Sequence, residues 1–288
     1  MNAPATGITD TLAQPEIQQR DIHFDLKGVD LGRWHGMGAH VSHLLNALSQ
    51  FFPEGEKYFI ESVRHYRDRI TDPVLKQQVQ GFIGQEAMHG REHLAYNQAL
   101  AQAGYPIAEL EKRVLGELKF SRKVLSPAAR LASTIALEHL TAILADQVLR
   151  NPAVLAGSDP RMAALWRWHA IEETEHKAVA FDVYQSVIGK GLRAYLLRVL
   201  ILISATLRFY WMSLSFHRVL LRHDPAPRPP GSARLLWRFL LGTPGIMLKT
   251  FPAWCAYFRP GFHPWQHDNS AAVVTWKAQF AAAGQPPG

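Results

Sequence analysis

The sequence predicts an all-α protein, and three observations support that prediction. The hydrophobic pattern is helical from Val41 to about Val187, and few turn residues interrupt its runs. No alternating pattern long enough to indicate a strand occurs. The chain has 288 residues, of which 48% are hydrophobic and 19% charged, so it has enough apolar side chains for a large core and too many for a disordered chain.

Pro and Gly residues punctuate the predicted helices in order along the chain. Asp72-Pro73 opens the third helix, because Pro is tolerated in a first helical turn. Gly104-Tyr105-Pro106, Ser126-Pro127 and Asn151-Pro152 separate the helices that follow. The predicted helices span residues 38–50, 55–70, 74–102, 106–120, 127–150, 160–187 and 191–221.

Composition divides the chain into four regions. Residues 1–30 lack periodicity and are predicted to form a flexible arm, and residues 31–222 are predicted to form the bundle. A Pro-rich linker at 223–233 leads to a basic, Trp-rich helical region at 234–288. Cys255 is the only cysteine, which excludes a disulfide framework and a thiolate metal site. No secretory signal is visible, so we expect a cytoplasmic protein, either free or peripheral at the inner face of the cytoplasmic membrane.

Charge is distributed unevenly along the chain. Residues 190–288 carry 12 Lys and Arg residues against only Asp224 and Asp268, and they contain five of the eight Trp residues. A basic segment rich in Trp and aliphatic residues is typical of contact with an anionic membrane surface. Nucleic acid is not expected as a partner, because these aromatic residues lie among aliphatic ones rather than in a polar basic groove. The sequence does not indicate an oligomeric state.

The most apolar stretch of the chain is 195–216, and three interpretations of it stay open. Its length approaches the roughly 20 residues that a membrane-spanning helix needs. Arg198 and Arg208 oppose a simple span, because a mid-membrane Arg costs about 2.5–3.5 kcal/mol on insertion scales. The stretch is therefore a buried bundle helix, an interfacial helix or a marginal span.

A Glu-x-x-His motif occurs twice, once from Glu86 and once from Glu173, on long predicted helices. Positions i and i+3 lie about 60° apart around a helix, so each pair can bind the same metal cluster. A lone Glu precedes each motif by one helix. The predicted metal ligands are Glu61, Glu86, His89, Glu138, Glu173 and His176.

This inventory is that of di-iron and di-manganese bundle proteins, in which two helices supply a Glu each and two supply a Glu-x-x-His. Four carboxylates and two imidazoles suit two divalent metal ions, with Fe favoured and Mn or Zn as alternatives. In the competing interpretation, Glu86 and Glu173 lie on solvated faces and pair with Arg91 or Lys177. Glu138 fits that interpretation least, because its neighbours are apolar and a buried carboxylate needs a cation.

Further acidic and imidazole groups lie on the same helix faces. Glu172, Glu175 and His169 are candidate catalytic residues, as proton acceptors or proton carriers. Glu172 lies four positions before His176 and could replace Glu173 as a ligand. Additional ligands or supporting residues are predicted at His65, His93 and Asp182.

Three segments around these residues resemble the bacterial family of predicted metal-dependent hydrolases, which belongs to the ferritin-like group. They are Phe82–His93, Leu137–Thr141 and Trp166–Tyr184, of which the last is the most specific. The resemblance covers roughly residues 20–260. It implies a ferritin-like four-helix bundle core with additional C-terminal apolar helices, and a metal site at the residues named above.

Three functions fit these observations. The family resemblance favours hydrolysis of a hydrophobic, lipid-like substrate by metal-activated water. The carboxylate-rich ligand set favours oxygen-dependent oxidation, hydroxylation or desaturation at a di-iron site. Non-catalytic metal binding or storage is the third, although the basic, apolar segment 190–288 would hinder packing into a storage shell.

Overall fold

The computed structural model describes residues 16–282, and eleven α-helices form most of this part of the chain. No strand occurs within these described residues, so the all-α prediction is confirmed. Short 3₁₀ turns lie at Arg67–Arg69, Pro152–Val154 and Pro264–Gln266. The helices are α1 (Ala39–Ser49), α2 (Phe52–Arg64), α3 (Pro73–Gln102), α4 (Ile107–Val124), α5 (Pro127–Arg150), α6 (Pro160–His176), α7 (Val179–Val187), α8 (Leu192–His223), α9 (Ala233–Leu241), α10 (Ile246–Ala256) and α11 (Ser270–Ala282).

The three longest helices of the bundle core begin at capped X-Pro steps. Asp72 accepts a hydrogen bond from the backbone N–H of Val74 (2.8 Å) at the start of α3. Ser126 and Asp159 cap α5 and α6 in the same way, each directly before a Pro at the first helical position. Pro costs no hydrogen bond there, and the capping oxygen satisfies one of the otherwise unpaired N–H groups.

Two predicted helices differ most from the structure. The second helix begins at Phe52, with Pro53 in its first turn, and it ends at Arg64 rather than at residue 70. The helix predicted over 160–187 is divided at Lys177 and Ala178 into α6 and α7. Lys177 donates hydrogen bonds to the backbone oxygen of His267 and to Asn269 (both 2.7 Å), which lie far away in sequence. The helical pattern of the sequence cannot indicate a contact between residues so far apart.

Helices α2, α3, α6 and α5 form a closed ring of neighbours, with α2 against α3, α3 against α6, α6 against α5 and α5 against α2. Around this four-helix core, α8 packs across α1 and α5, α10 packs on α5, and α11 packs on α6. Helix α3 runs through both halves of the apolar core. Phe82 belongs to one half and Tyr96 to the other, with the buried polar residues Glu86 and His89 between them. A polar layer therefore interrupts the core at mid-bundle.

The described part of the predicted N-terminal arm lies against the bundle. Residues 16–26 have no regular secondary structure but run along α3, where Gln85 donates to the backbone oxygen of Gln18 (2.9 Å). Glu92 accepts from the backbone N–H of Phe24 (3.0 Å), and Arg20 is buried beneath this segment. Residues 1–15, to which the prediction of flexibility also applies, lie outside the described residues.

Among residues 16–282, α5 and α8 have the length and hydropathy of a membrane span. Two thirds of the α5 window (67%) is buried in the bundle, as expected for a core helix, whereas only 22% of the α8 window is buried. Helix α8 nevertheless packs one face against the bundle through Arg198, Leu202 and Phe216. The stretch predicted as buried, interfacial or spanning is thus a surface helix with one buried face.

Candidate metal centre

The four core helices direct six acidic and imidazole side chains into the polar layer. Each of the six is 1% exposed or less. Helices α2 and α5 supply one carboxylate each, and α3 and α6 each supply a Glu-x-x-His pair. We name this group the Glu/His cluster, and its members are Glu56, Glu86, His89, Glu138, Glu173 and His176.

The ligand atoms of the cluster lie close enough to share metal ions. The Nε2 atom of His176 lies 3.1 Å from Glu86 Oε1, 3.5 Å from Glu138 Oε2 and 3.6 Å from Glu173 Oε2. Atoms of Glu86, His89 and Glu173 form a second group within 4.8 Å of one another. A third group joins Glu56, His89 and His169 in the same way. Because Glu86 and His89 each belong to two groups, the three groups form one continuous site.

The cluster and the adjacent Glu172 together hold ten of the buried side-chain atoms that have no hydrogen-bond partner within the described structure. Both carboxylate oxygens of Glu56, Glu86 and Glu138 are among them, and so are both ring nitrogens of His89. The remaining two are Nε2 of His176 and Oε2 of the adjacent Glu172. A buried charged group without a partner is costly, so native structures supply a cation or a hydrogen bond. These residues therefore fit a bound metal.

Electrostatics inside the cluster favour the binding of cations. Burial, together with the neighbouring carboxylates, holds the pKa of Glu56 and Glu138 well above the usual range. Burial also raises the pKa of Glu86 and lowers that of His89 well below its usual value. In the absence of a cation, protons would have to neutralise these groups. A divalent ion replaces those protons and removes the repulsion between the carboxylates.

Glu173 and His176 form the charged pair of the cluster. Burial disfavours both ions, but the hydrogen bond with His169 and the nearby His176 outweigh it and hold the pKa of Glu173 well below its usual range. The nearby carboxylates of Glu173, Glu86 and Glu138 likewise outweigh burial and hold the pKa of His176 well above its usual value. The Nδ1 atom of His176 lies 2.8 Å from Oε1 of Gln85, an acceptor, so Nδ1 carries the hydrogen. Nε2 is then the atom that faces the carboxylates and is available to a metal.

A chain of buried polar groups supports Glu173 from outside the cluster. Its Oε1 lies 3.0 Å from Nε2 of His169, and its Oε2 accepts a hydrogen bond from Thr141 (2.6 Å). Nδ1 of His169 lies 3.0 Å from Nε2 of His93, whose own Nδ1 lies 2.9 Å from Oγ of Ser49. Such contacts orient ligands and set their basicity. His169 and His93, both predicted near the site, are thus brought to it by the structure.

Arg20 pairs with the two other acidic residues of α6. Its guanidinium donates to Oε1 of Glu172 (3.0 Å) and to both oxygens of Glu175 (2.9 and 2.8 Å). Lys277 forms a second ion pair with Glu175. Trp168 donates to Oε1 of Glu172 (2.9 Å), so only Oε2 of this residue faces the cluster, 3.1 Å from His89 Nε2. Burial raises the pKa of Glu172 to about 8, although Arg20 opposes the shift.

Three predicted site residues lie away from the cluster. Glu61 is exposed on the outer face of α2 and forms an ion pair with Arg122 (2.8 Å). His65 is exposed and its ring contacts Tyr66. Asp182 pairs with His263 (2.9 Å). The carboxylate that α2 contributes is Glu56, five positions before Glu61, and it is not among the residues predicted from the sequence.

An apolar cavity of about 200 Å³ reaches the cluster. Helices α2, α4, α5 and α8 line it, and Glu56 and Thr141 are part of its wall. Since Glu56 belongs to the cluster and Thr141 bonds to Glu173, the cavity ends beside the acidic layer. The apolar part of its wall consists largely of Phe51, Phe52, Phe59, Val114, Leu118, Leu137, Phe209 and Met212.

Comparison with known families shows to which family this chain belongs. A family model described as predicted metal-dependent hydrolase matches residues 18–268, which include the whole Glu/His cluster and Arg20. This chain belongs to the family of predicted metal-dependent hydrolases. No curated protein and no solved structure matches it. Family membership confirms the resemblance drawn from the sequence, while the ferritin-like grouping stays a prediction.

Proposed function

We propose that this predicted metal-dependent hydrolase is an enzyme with a dinuclear centre in the four-helix core. The observation that carries the proposal is the set of nine buried atoms of the Glu/His cluster without a hydrogen-bond partner, which lie on residues of one continuous site. Four carboxylates balance the charge of two divalent ions, and Fe suits this donor set best, with Mn or Zn as alternatives. The proposed ligands are Glu56, Glu86, His89, Glu138, Glu173 and His176, with Glu56 in the place predicted for Glu61.

The proposed reaction is hydrolysis of a substrate with a long apolar part. Divalent ions at such a site lower the pKa of water and polarise a carbonyl or phosphoryl oxygen. Glu172 is the proposed proton acceptor, because Arg20 and Trp168 hold its Oε1 and leave Oε2 directed toward the cluster. Glu175 suits that role less well, because Arg20 and Lys277 both pair with it.

His169 is proposed to hold Glu173 in position and to carry protons outward through His93. The apolar cavity supports the substrate class. Its wall offers aromatic and aliphatic side chains to a hydrocarbon chain, and it also includes Glu56 of the cluster and the ion pair of Glu117 with Arg208.

Oxygen chemistry at a di-iron site is the second candidate, and the donor set specifically favours it. Four Glu and two His, arranged as two single Glu residues and two Glu-x-x-His pairs, are the ligands of di-iron carboxylate bundles. Metal storage is less well supported, because a storage site needs no apolar cavity beside its ligands.

Metal content tests the centre itself. Protein purified without a metal-affinity tag should hold about two metal ions per chain by elemental analysis. Glu56→Gln and Glu138→Gln should each lose at least half of this metal. Glu61→Gln is the matched control, because it makes the same change on the exposed face of α2. Full metal in both cluster variants, or an equal loss in the control, would overturn the proposal.

Metal identity and dioxygen distinguish the two reactions. Anaerobic loading with Fe followed by exposure to air should produce a new near-ultraviolet band if the centre performs oxygen chemistry. Under the hydrolysis proposal, Zn- or Mn-loaded protein cleaves a long-chain aryl ester, and Glu172→Gln abolishes cleavage while keeping the metal. A variant that keeps full esterase activity would exclude Glu172 as the proton acceptor.

A further inference from the structure

Seven large apolar side chains are exposed along one face of α8. Successive members lie four, four, three, four, four and three positions apart, which places all seven within an arc of about 100°. The row covers about 33 Å of helix length. Each side chain is 38–71% exposed. We name this row the α8 stripe, and it comprises Leu192, Leu196, Leu200, Ile203, Leu207, Trp211 and Leu214.

The opposite face of α8 holds the helix flat against the bundle. Leu202 and Phe216 are fully buried in the two halves of the core. Arg198 is buried and donates to the backbone oxygens of Tyr257 and Arg259, the latter at 2.7 Å. A transmembrane orientation would break these contacts and place Arg198 in hydrocarbon, so a membrane could meet this helix only from the side.

Helix α10 widens the apolar surface on one side of the stripe. Nε1 of Trp254 donates to Thr206 of α8 (3.1 Å), between two stripe positions. Phe251 stacks on Trp254 with the ring centroids 6.0 Å apart, and it is 60% exposed. Aromatic side chains of this kind are favoured at the boundary between lipid headgroups and acyl chains.

The positive charge around this surface favours an anionic partner. Residues 190–251 contain ten Lys and Arg residues, of which only Arg198 is buried, and a single acidic residue, Asp224. Asp224 is itself buried and pairs with Arg33 and His43. A second copy of the chain would bring a second basic surface to the first, and the like charges would repel. An anionic lipid surface attracts the basic residues and accepts the apolar side chains.

We propose that the α8 stripe docks on an anionic lipid bilayer, with α8 lying in the plane of the membrane surface. The cavity lies on the inner side of α8, where Ala205, Phe209 and Met212 line it, and the stripe lies on the outer side of the same helix. The Arg208–Glu117 ion pair bridges α8 and α4 at the cavity wall and is partly exposed. An apolar substrate from the bilayer would enter past this ion pair, between α4 and α8, and that step rests on the proposed function.

Vesicle flotation of the full-length protein tests the docking. Vesicles of phosphatidylglycerol and phosphatidylcholine in equal amounts should carry the protein, and vesicles of phosphatidylcholine alone should carry much less. Leu200→Glu/Leu207→Glu should weaken binding more than about tenfold, because two charges of the wrong sign replace two apolar contacts. Val74→Glu/Leu94→Glu adds the same charges at exposed apolar positions of α3 and should bind like the wild type.

These experiments test the docking independently of the metal centre. Absence of binding to the anionic vesicles, or equal loss in both double variants, would overturn the proposal. A third result would also overturn it: the wild type is a dimer and binds no vesicles, whereas Leu200→Glu/Leu207→Glu is a monomer. The stripe would then join two copies of the chain. Circular dichroism and metal content of the variants should match the wild type. A wild-type protein without metal would overturn the proposed function but leave the docking result intact.

Discussion

Arg20 is the residue whose removal tests the electrostatic interpretation of the core most directly. It is 5% exposed and makes three hydrogen bonds with Glu172 and Glu175, at 2.8–3.0 Å. Arg20→Met keeps much of the apolar length of the side chain and removes the charge and the donors. The variant therefore leaves two buried carboxylates with less compensation than they have in the wild type.

The expected loss is a large fraction of the stability of a single domain. Removing one partner from a buried ion pair typically costs about 3–5 kcal/mol, because the other charge remains buried. Lys277 and Gln85 still serve Glu175 in the variant, and Trp168 still donates to Glu172. We therefore expect the lower end of that range, about 3 kcal/mol of unfolding free energy at pH 7.

Urea denaturation with matched metal content provides the measurement, and Arg122→Met provides the control. Arg122 pairs with Glu61 at the surface, where an ion pair contributes about 0–1 kcal/mol. The deficit of Arg20→Met should also depend on pH. Burial raises the pKa of Glu172 to about 8, although the charge of Arg20 acts to lower that pKa. Loss of Arg20 raises that pKa further, so folding then favours the protonated form more strongly.

The sign of this dependence is fixed by linkage. A carboxyl group whose folded pKa is raised stabilises the protein at low pH and loses that contribution as pH rises through its unfolded value and on toward its folded value. Glu172 is protonated in both folded proteins from pH 5 to pH 7, so the deficit of Arg20→Met should change little there through this residue and should widen as pH rises through and above 8, where only the wild type releases the proton. A deficit below about 1 kcal/mol at pH 7, or one that does not widen above pH 8, would refute the reasoning.

Two further predictions concern packing and a buried imidazole. A Cβ on Gly36 would lie 2.3 Å from the backbone oxygen of Ala156, so Gly36→Ala should cost about 2 kcal/mol or more, whereas Gly116→Ala, in open space on α4, should gain about 0.5–1 kcal/mol. Thermal denaturation measures both, and equal effects would contradict the predicted contact. Burial, reinforced by His40, lowers the pKa of His217 to about 4, so the protein should lose about 2 kcal/mol between pH 7 and pH 4.5 through this residue. His217→Gln, which keeps an N–H donor for the backbone oxygen of His40, should remove that part of the loss in urea titrations, and unchanged acid sensitivity would contradict the assignment.

Most of the cluster could be predicted because it depends on local geometry. A Glu-x-x-His pair presents both side chains on one helix face wherever the helix lies. Formation of the helix is therefore enough to bring the two side chains of each pair together. Glu138 was identifiable because its surroundings in the sequence are apolar on several sides. The structure brings Glu138 and both pairs into one buried layer.

Glu61 does not reach the cluster, because it lies on a different face of α2 and pairs there with Arg122. Five positions correspond to about 140° around a helix, so Glu61 and Glu56 point in different directions. Positions three and four residues away from Glu61 include Lys57, Arg64 and His65, which indicates a solvated face. The same offsets from Glu56 reach Phe52, Pro53, Phe59 and Ile60, which indicates a face turned toward the core. Helical periodicity could therefore have identified Glu56.

Arg20 could not have been found in this way. It lies 152 positions from Glu172, in a segment without periodicity, and only the path of the chain along α3 brings it to α6. The break between α6 and α7 has the same kind of origin, because Lys177 there bonds to residues some 90 positions away. Contacts of this range depend on the tertiary fold, and a single sequence carries no local signal for them.

The placement of Arg20 also explains how six carboxylates can share one core. Two divalent ions would balance the four carboxylates of the Glu/His cluster, whereas Arg20 and Lys277 balance Glu172 and Glu175. The Glu/His cluster and the pair of Glu172 and Glu175 are therefore neutralised independently. Removal of the metal should leave Glu172 and Glu175 paired with their cations. The cluster would then depend on protons for neutralisation, and the raised pKa values of Glu56 and Glu138 favour their uptake. On this argument the bundle can fold before it acquires metal, and the ions enter a site that is already formed.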